Sequence, residues 1–313
     1  MKVAIIGECM LEIANAAGGD LAKGMACRFN YGGDTLNTAV YMKRLGAEVA
    51  YFSALGSDIY SQWLLKEWQL EGLDTSYVLI NPNAMPGLYM IQTDSEGERS
   101  FSYWRGQSAA RQWLQDEQAV AGLLRELADF DVLYLTGITL SLMSNAVAES
   151  FVRGVAALKK VKPLKVVFDI NYRPRGWSSE EMARARMASL LKLTDLALPT
   201  FDDEKLLFGD ASPAQTQARY EALGVKECII KLGGEGALVC AEGSAHRVAS
   251  ENVSQVVDTT GAGDSFNGAF LAKYLLGGGL IEACKAGHKL AGTVIQHRGA
   301  IIATSDMPSL MDA

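Results

Sequence analysis

Apolar residues along this chain fall into short unbroken runs set between longer stretches of helical spacing. Residues 2–7 (KVAIIG) make the first run, 49–55 the next, and 131–136, 165–170, 195–198 and 227–232 repeat it. Runs of this length without polar alternation mark strands buried on both faces of a parallel sheet. Between them, 57–71, 144–158 and the segment holding Phe266, Ala269, Phe270, Lys273 and Tyr274 place apolar residues three or four apart, which predicts helices. Gly46, Gly72 and the run Gly277-Gly278-Gly279 stand where helices would end. Strands and helices alternate as far as Gly287 with no linker or repeat. The pattern predicts one α/β domain over residues 1–313 with a mainly parallel sheet.

One stretch breaks the rhythm. Residues 86–94 and 98–105 alternate polar and apolar positions across Ser95-Glu96-Gly97, as a hairpin does. Tyr89 and Ile91 share a face of the first arm, and Phe101, Tyr103 and Arg105 share one of the second. The arms are too polar for the middle of the sheet. Two readings stay open: a lid that folds over a ligand, or a surface hairpin whose aromatics pack on the domain or on another subunit.

Composition narrows the function classes. Apolar residues at 49% and charged residues at 21% are ordinary for a globular enzyme and leave little room for disorder. A formal charge of −7 argues against nucleic acid and acidic membrane surfaces as partners. Five widely spaced cysteines without a C-x-x-C pair read as reduced thiols of a cytoplasmic protein. No run is long enough to span a membrane, and the opening apolar run is too short for a signal peptide. Neither a P-loop nor a dinucleotide fingerprint occurs, and His246 and His297 have no partners that point to zinc.

The chemistry concentrates in Asp258-Thr259-Thr260-Gly261-Ala262-Gly263-Asp264-Ser265-Phe266. Small residues just before a helix let backbone approach a ligand, and the free N–H groups of the first turn face an anion. An Asp in a first turn ordinarily caps the helix. Capping, however, asks for no run of small residues before it. A carboxylate beside an anion site has a use there if it takes a proton from an attacking hydroxyl. Gly32-Gly33-Asp34-Thr35-Leu36-Asn37 is a second glycine pair before a helix, with Asp34 and Asn37 offering polar atoms. Asn171 and Arg173 follow the run 165–170, beyond the carboxyl end of a strand, where open α/β sheets bind ligands.

The stretch from Asp258 to Phe270 resembles the C-terminal signature of the PfkB (ribokinase-like) carbohydrate kinases, and Gly32-Gly33 to Asn37 resembles their N-terminal signature. The resemblance implies a three-layer α/β/α domain with a small inserted β-sheet lid from about 10–31 and 85–106. It also implies ATP and Mg2+, with Asp264 as the catalytic base and Gly261, Ala262 and Gly263 as the anion hole. Lys231, Gly233 and Gly236 resemble the strand end that lies along ATP, and His288 falls where the adenine pocket is lined. Glu204 matches the acid of the family's magnesium motif, although Phe201 stands at its Asn position.

The runs at 7–10, 87–89, 97–99, 103–105, 171–174 and 299–302 are most similar to the sugar-acid kinases of the family. That similarity implies Gly33, Asp34, Asn37, Tyr89, Tyr103, Arg105, Asn171 and Arg173 as sugar contacts. Physics agrees on one point: two arginines match a carboxylate, which a neutral sugar lacks. A kinase for a neutral sugar, or an inactive sugar or nucleotide sensor on the same fold, stays open. A homo-oligomer built through the lid is expected.

Overall fold

The structure is a computed structural model describing residues 1–15, 22–93 and 99–310. Its strands are β1 (Lys2–Ile6), β2 (Met10–Asn15), β3 (Cys27–Gly32), β4 (Glu48–Leu55), β5 (Val78–Ile80), β6 (Gly87–Thr93), β7 (Arg99–Trp104), β8 (Val132–Thr136), β9 (Lys165–Asp169), β10 (Leu196–Ala197), β11 (Glu227–Lys231), β12 (Ala237–Ala241) and β13 (Ser244–Val248). Nine of them form one sheet in the order β13-β12-β11-β10-β9-β8-β1-β4-β5. From β5 to β11 neighbours run parallel, and β12 and β13 join antiparallel at one edge. The arrangement is the mainly parallel α/β sheet expected from the sequence, with a second, smaller sheet.

Strand β1 shows why its sequence does not alternate. Ala4 and Ile6 pack into one core with Phe52, Leu133 and Phe168. Val3 and Ile5 face the other side with Val49, Tyr51 and Val132. All four β1 residues are fully buried, so both faces demand apolar side chains.

The remaining strands form a small sheet in the order β3-β2-β6-β7. β6 and β7 pair antiparallel with Tyr89 opposite Tyr103 and Ile91 opposite Phe101, so the faces read separately from sequence become one face. The turn Ser95–Gly97 lies outside the described residues. β2 and β3 of this sheet fall at 10–15 and 27–32, against the range of about 10–31 expected for part of the inserted β-sheet.

The helix expected over 57–71 begins two residues later, at Ile59, because the Asp58 side chain accepts from the Tyr60 and Ser61 amides (both 3.0 Å) and caps it. Two helices carry the site. Asp34–Arg44 follows the first glycine pair, and Ala262–Leu275 follows the second motif. They pack on each other: the Thr38 hydroxyl donates to the Asp264 carbonyl (3.1 Å), and a Cβ at Gly268 would stand 2.7 Å from the Tyr41 Cβ.

Candidate active site

The helix Ala262–Leu275 starts from Gly261, whose φ of 74° is left-handed and unfavourable for other residues. A Cβ there would also lie 2.7 Å from the Ala300 Cβ. Asp258 fastens this turn. One of its oxygens accepts from the Thr260 amide (2.9 Å) and the other from the Gly299 amide (2.8 Å). The Ala262 amide turns back to the Thr259 carbonyl (3.2 Å). The Gly263 and Asp264 amides lie in the first turn of this helix, where N–H groups and the positive end of the dipole suit an anion.

Asp264 leaves that first turn toward the helix Asp34–Arg44, where Asn37 Nδ2 donates to its Oδ2 (2.8 Å). The other polar atom of Asn37, Oδ1, is buried and makes no hydrogen bond. Burial, and then the negative charge of Asp34, push the Asp264 carboxyl up to about 7, against the pull of Asn37 and Lys231. Asp34 is likewise raised by burial, although Thr136 (2.6 Å) and Asn171 (2.7 Å) both donate to its Oδ2 and oppose the shift. Two enclosed carboxylates thus belong to one site, and the charge of Asp34 disfavours ionisation of Asp264.

Gly33 stands between the sheet and this pair. A Cβ on it would fall 2.2 Å from the Glu8 carbonyl oxygen, so the close packing of the loop onto the end of β1 requires glycine. Asn171, past the end of β9, has φ 32°, a conformation Asn tolerates better than most residues. That bend aims its amide at Asp34.

Arg173 reaches the same cleft from the exposed side and pairs with Asp203 (3.2 Å). Burial works against its charge, but Asp203, Asp34, Asp264 and Asp169 together hold it above its ordinary value. Arg105 comes from the end of the small sheet and pairs with Glu8. Tyr89 donates to Glu12, and its ring centroid lies 6.0 Å from that of Tyr103. The structure therefore brings together Gly33, Asp34, Asn37, Asn171, Arg173 and the Gly261–Asp264 turn, with Tyr89, Tyr103 and Arg105 on the small sheet.

Lys231 ends β11 beneath the turn. Its Nζ donates to Asp169 (2.7 Å) and Asn267 (3.0 Å), and a Cβ on Gly263 would lie 3.7 Å from it. It is buried, so it acts on the site through its charge and through the network it anchors. Gly233 opens the short turn after β11 and Gly236 closes it. His288 is buried in the helix Leu280–Val294, edge-on to Phe266 at 5.0 Å. Burial keeps its pKa low, against a hydrogen bond to the Val248 backbone.

Glu204 requires a correction. It is fully buried, ion-paired with Arg219 and hydrogen-bonded by Tyr220 (2.5 Å), and burial raises its pKa to about 7. Its oxygens are engaged by Arg219 and Tyr220 rather than open to the cleft surface, which speaks against the expected role in holding magnesium. The carboxylate on the cleft side of this helix is Asp203. Neighbouring helical positions lie about 100° apart, and the acidic run Asp202-Asp203-Glu204 does not show which one faces the site.

Asp169, Thr136, Asn267, Glu8 and Glu12 were also missed. Three of them had a signal: a carboxylate at the end of, or inside, an otherwise apolar run, where burial of charge demands a partner.

A left-handed glycine opening a helix beside an enclosed aspartate, at the end of a parallel sheet, is an arrangement suited to an α/β kinase. The chain belongs to the pfkB family of carbohydrate kinases, whose family model matches residues 1–307. It is 43% identical to the 2-dehydro-3-deoxygluconokinase of Escherichia coli K12, over 98% of this chain and 99% of that protein. It is 41% identical to the 2-dehydro-3-deoxygluconokinase of Haemophilus influenzae, over 96% and 95% respectively. Among solved structures it resembles a PfkB protein from Polaromonas sp. JS666 (TM-score 0.83, 27% identity, 94% of this chain and 96% of that one). It also resembles a putative Ribokinase II from E. coli in complex with ATP and Mg+2 (TM-score 0.83, 25% identity, 99% and 97%). No helix among the described residues is long and apolar enough to cross a membrane.

Proposed function

We propose that this chain transfers the γ-phosphoryl group of ATP to the 6-hydroxyl of 2-dehydro-3-deoxy-D-gluconate, giving the 6-phosphate and ADP. The observation that carries the reading is the raised Asp264 carboxyl at a left-handed glycine turn, in one cleft with Arg173. The relatives named for the same reaction add support.

Asp264 accepts the proton of the attacking hydroxyl. A base that titrates near neutrality suits this task, because it is ionised in use and still holds a proton well. Asn37 orients it. The first-turn amides after Gly261 steady the phosphoryl oxygens, which is most of what phosphoryl transfer asks of a protein. The unpartnered Asn37 Oδ1, Asp34 and the Tyr89–Tyr103 pair hold sugar hydroxyls. Arg105 and Arg173 face the carboxylate end, where forked guanidinium groups bind two oxygens at once.

Lys231, Gly233 and Gly236 lie on the nucleotide side, with His288 behind them. Among the described residues no three His, Cys, Asp or Glu side chains gather to hold a metal. The donor set fits a magnesium ion held by phosphates and water, with Asp203 the nearby protein carboxylate. When bound, magnesium would offset the charge of the phosphates.

In this reading the small sheet, the inserted part of a single kinase domain, is a lid over the sugar. Its exposed Phe29 and Trp104 are the apolar surface through which copies of the chain associate. The deciding experiment is a coupled ADP-release assay with a panel of sugar acids, fructose, ribose and nucleosides. Turnover confined to the sugar acid is expected. Preference for a neutral sugar moves the chain to another branch of the family, and ADP release with none of the panel leaves a sensor.

A further inference from the structure

Glu8, at the carboxyl end of β1, is 3% exposed. A carboxylate so enclosed is unfavourable unless it is paired. Its Oε1 accepts from the Ser108 hydroxyl, and its Oε2 forms the ion pair with Arg105. The packing around it is close: a Cβ at Gly87 would lie 3.2 Å from Oε1, and one at Gly33 would strike its carbonyl oxygen. Four segments therefore converge on this residue: the end of β1, the loop before the helix Asp34–Arg44, the start of β6, and the link from β7 to Ser108. The first two belong to the rigid sheet and its helix layer. The last two belong to, or lead from, the small sheet.

The Arg105 contact is close but not aligned as a hydrogen bond, and its buried Nε and Nη2 have no hydrogen-bond acceptor. Arg111, on the next turn of chain, has its charge disfavoured by burial and then by Arg105, and supported by Glu8. Its Nε also has no hydrogen-bond acceptor. Arg105 is thus ion-paired with Glu8, and Arg111 feels the charge of the same carboxylate from farther off.

We propose that Glu8 is a positioning residue for sugar-acid recognition: it holds the Arg105 guanidinium at Nη2, leaving Nη1 for the substrate carboxylate, and ties the small sheet to β1. This rests on the sugar-acid reading above. Glu8 itself does not touch substrate. Its loss should weaken binding of the sugar acid without changing the chemical step, since uniform binding appears in KM and not in kcat.

The test compares wild type, Glu8→Gln, Ser108→Ala, Arg105→Ala and the double variant Glu8→Gln/Arg105→Ala in steady-state kinetics with sugar acid and ATP varied separately. Glu8→Gln is expected to raise the sugar-acid KM by about 10- to 100-fold, with the ATP KM and kcat within about twofold. In the Arg105→Ala background the same change should add less than about threefold, because the two residues act as one unit. An unchanged sugar-acid KM, a parallel rise in the ATP KM, or full additivity overturns the proposal. Should Glu8→Gln fail to fold, Ser108→Ala decides, with a smaller rise in sugar-acid KM expected and none refuting it. Wild type inactive on sugar acids sinks the functional reading itself. Wild type active with Glu8→Gln unaffected sinks only the role of Glu8.

Discussion

Replacing Asp264 with Asn should separate activity from stability in opposite directions. The substitution keeps the shape of the side chain and removes its capacity to take a proton. Asn37 can accommodate it by turning its amide, because its Oδ1 has no partner to lose. General-base catalysis contributes about 10²- to 10⁴-fold, so turnover should fall by that range while sugar and ATP binding persist.

Stability should move the other way. An unfolded Asp titrates near ~3.9, whereas enclosure and the charge of Asp34 lift folded Asp264 to about 7. Between those values the folded protein keeps a proton that the unfolded chain has released. Stability from this group is therefore full below the lower value and falls as pH rises through the upper one. A gap of about three pH units corresponds to roughly 4 kcal/mol. This is an upper figure, because the cleft leaves the carboxylate partly open to water. Asn is neutral throughout, so the variant should melt several degrees above wild type at about pH 8, the gain fading toward about pH 4. Calorimetric melts across pH, beside ADP-release kinetics, make the measurement. Near-native turnover would remove Asp264 as the base, and no gain in melting temperature at alkaline pH would refute the account of its pKa.

In the wild type, kcat/KM should climb about tenfold per pH unit until about 7 and then level, since only the ionised carboxylate accepts the proton; a flat profile through this range contradicts the assignment. Arg173→Ala should weaken sugar-acid kcat/KM by about 1.5–3 kcal/mol, the worth of a charged hydrogen bond, and leave any slow turnover of neutral sugars unchanged. Gly261→Ala should destabilise by at least about 1 kcal/mol from the left-handed backbone alone, with the contact at Ala300 adding to it; a melting temperature equal to wild type counts against the tight turn. Glu204→Gln should lower the melting temperature by disturbing the Arg219 pair yet leave the magnesium dependence of the rate unchanged, and a shifted magnesium requirement would restore its metal role.

The sheet was legible because burial on both faces leaves no choice of residue type along a central strand: β1, β8, β9 and β11 each appear as an apolar run at nearly the observed bounds. Edge strands obey a weaker constraint. In β13 four of five residues are exposed, so nothing in its composition separates Ser244–Val248 from loop. The glycines of the site were legible for a similar reason, since left-handed backbone and close approach admit few alternatives at Gly261 and Gly33. Charged side chains carry less information about direction. Nothing near Lys231 in sequence points to Asp169 and Asn267, which hold its ammonium under the turn, and Glu204 and Asp203 exchange inside and outside through a single helical step. In both cases the residue type was right for an electrostatic site, and its partner, distant in sequence, decided where the charge is spent. Asp169 is 62 residues from Lys231, and Asp34 meets Asn171 across 137. Sequence spacing therefore identifies the groups that must find partners when the chain folds, while the pairing that sets each group's protonation and reach emerges only once the strand ends are brought together.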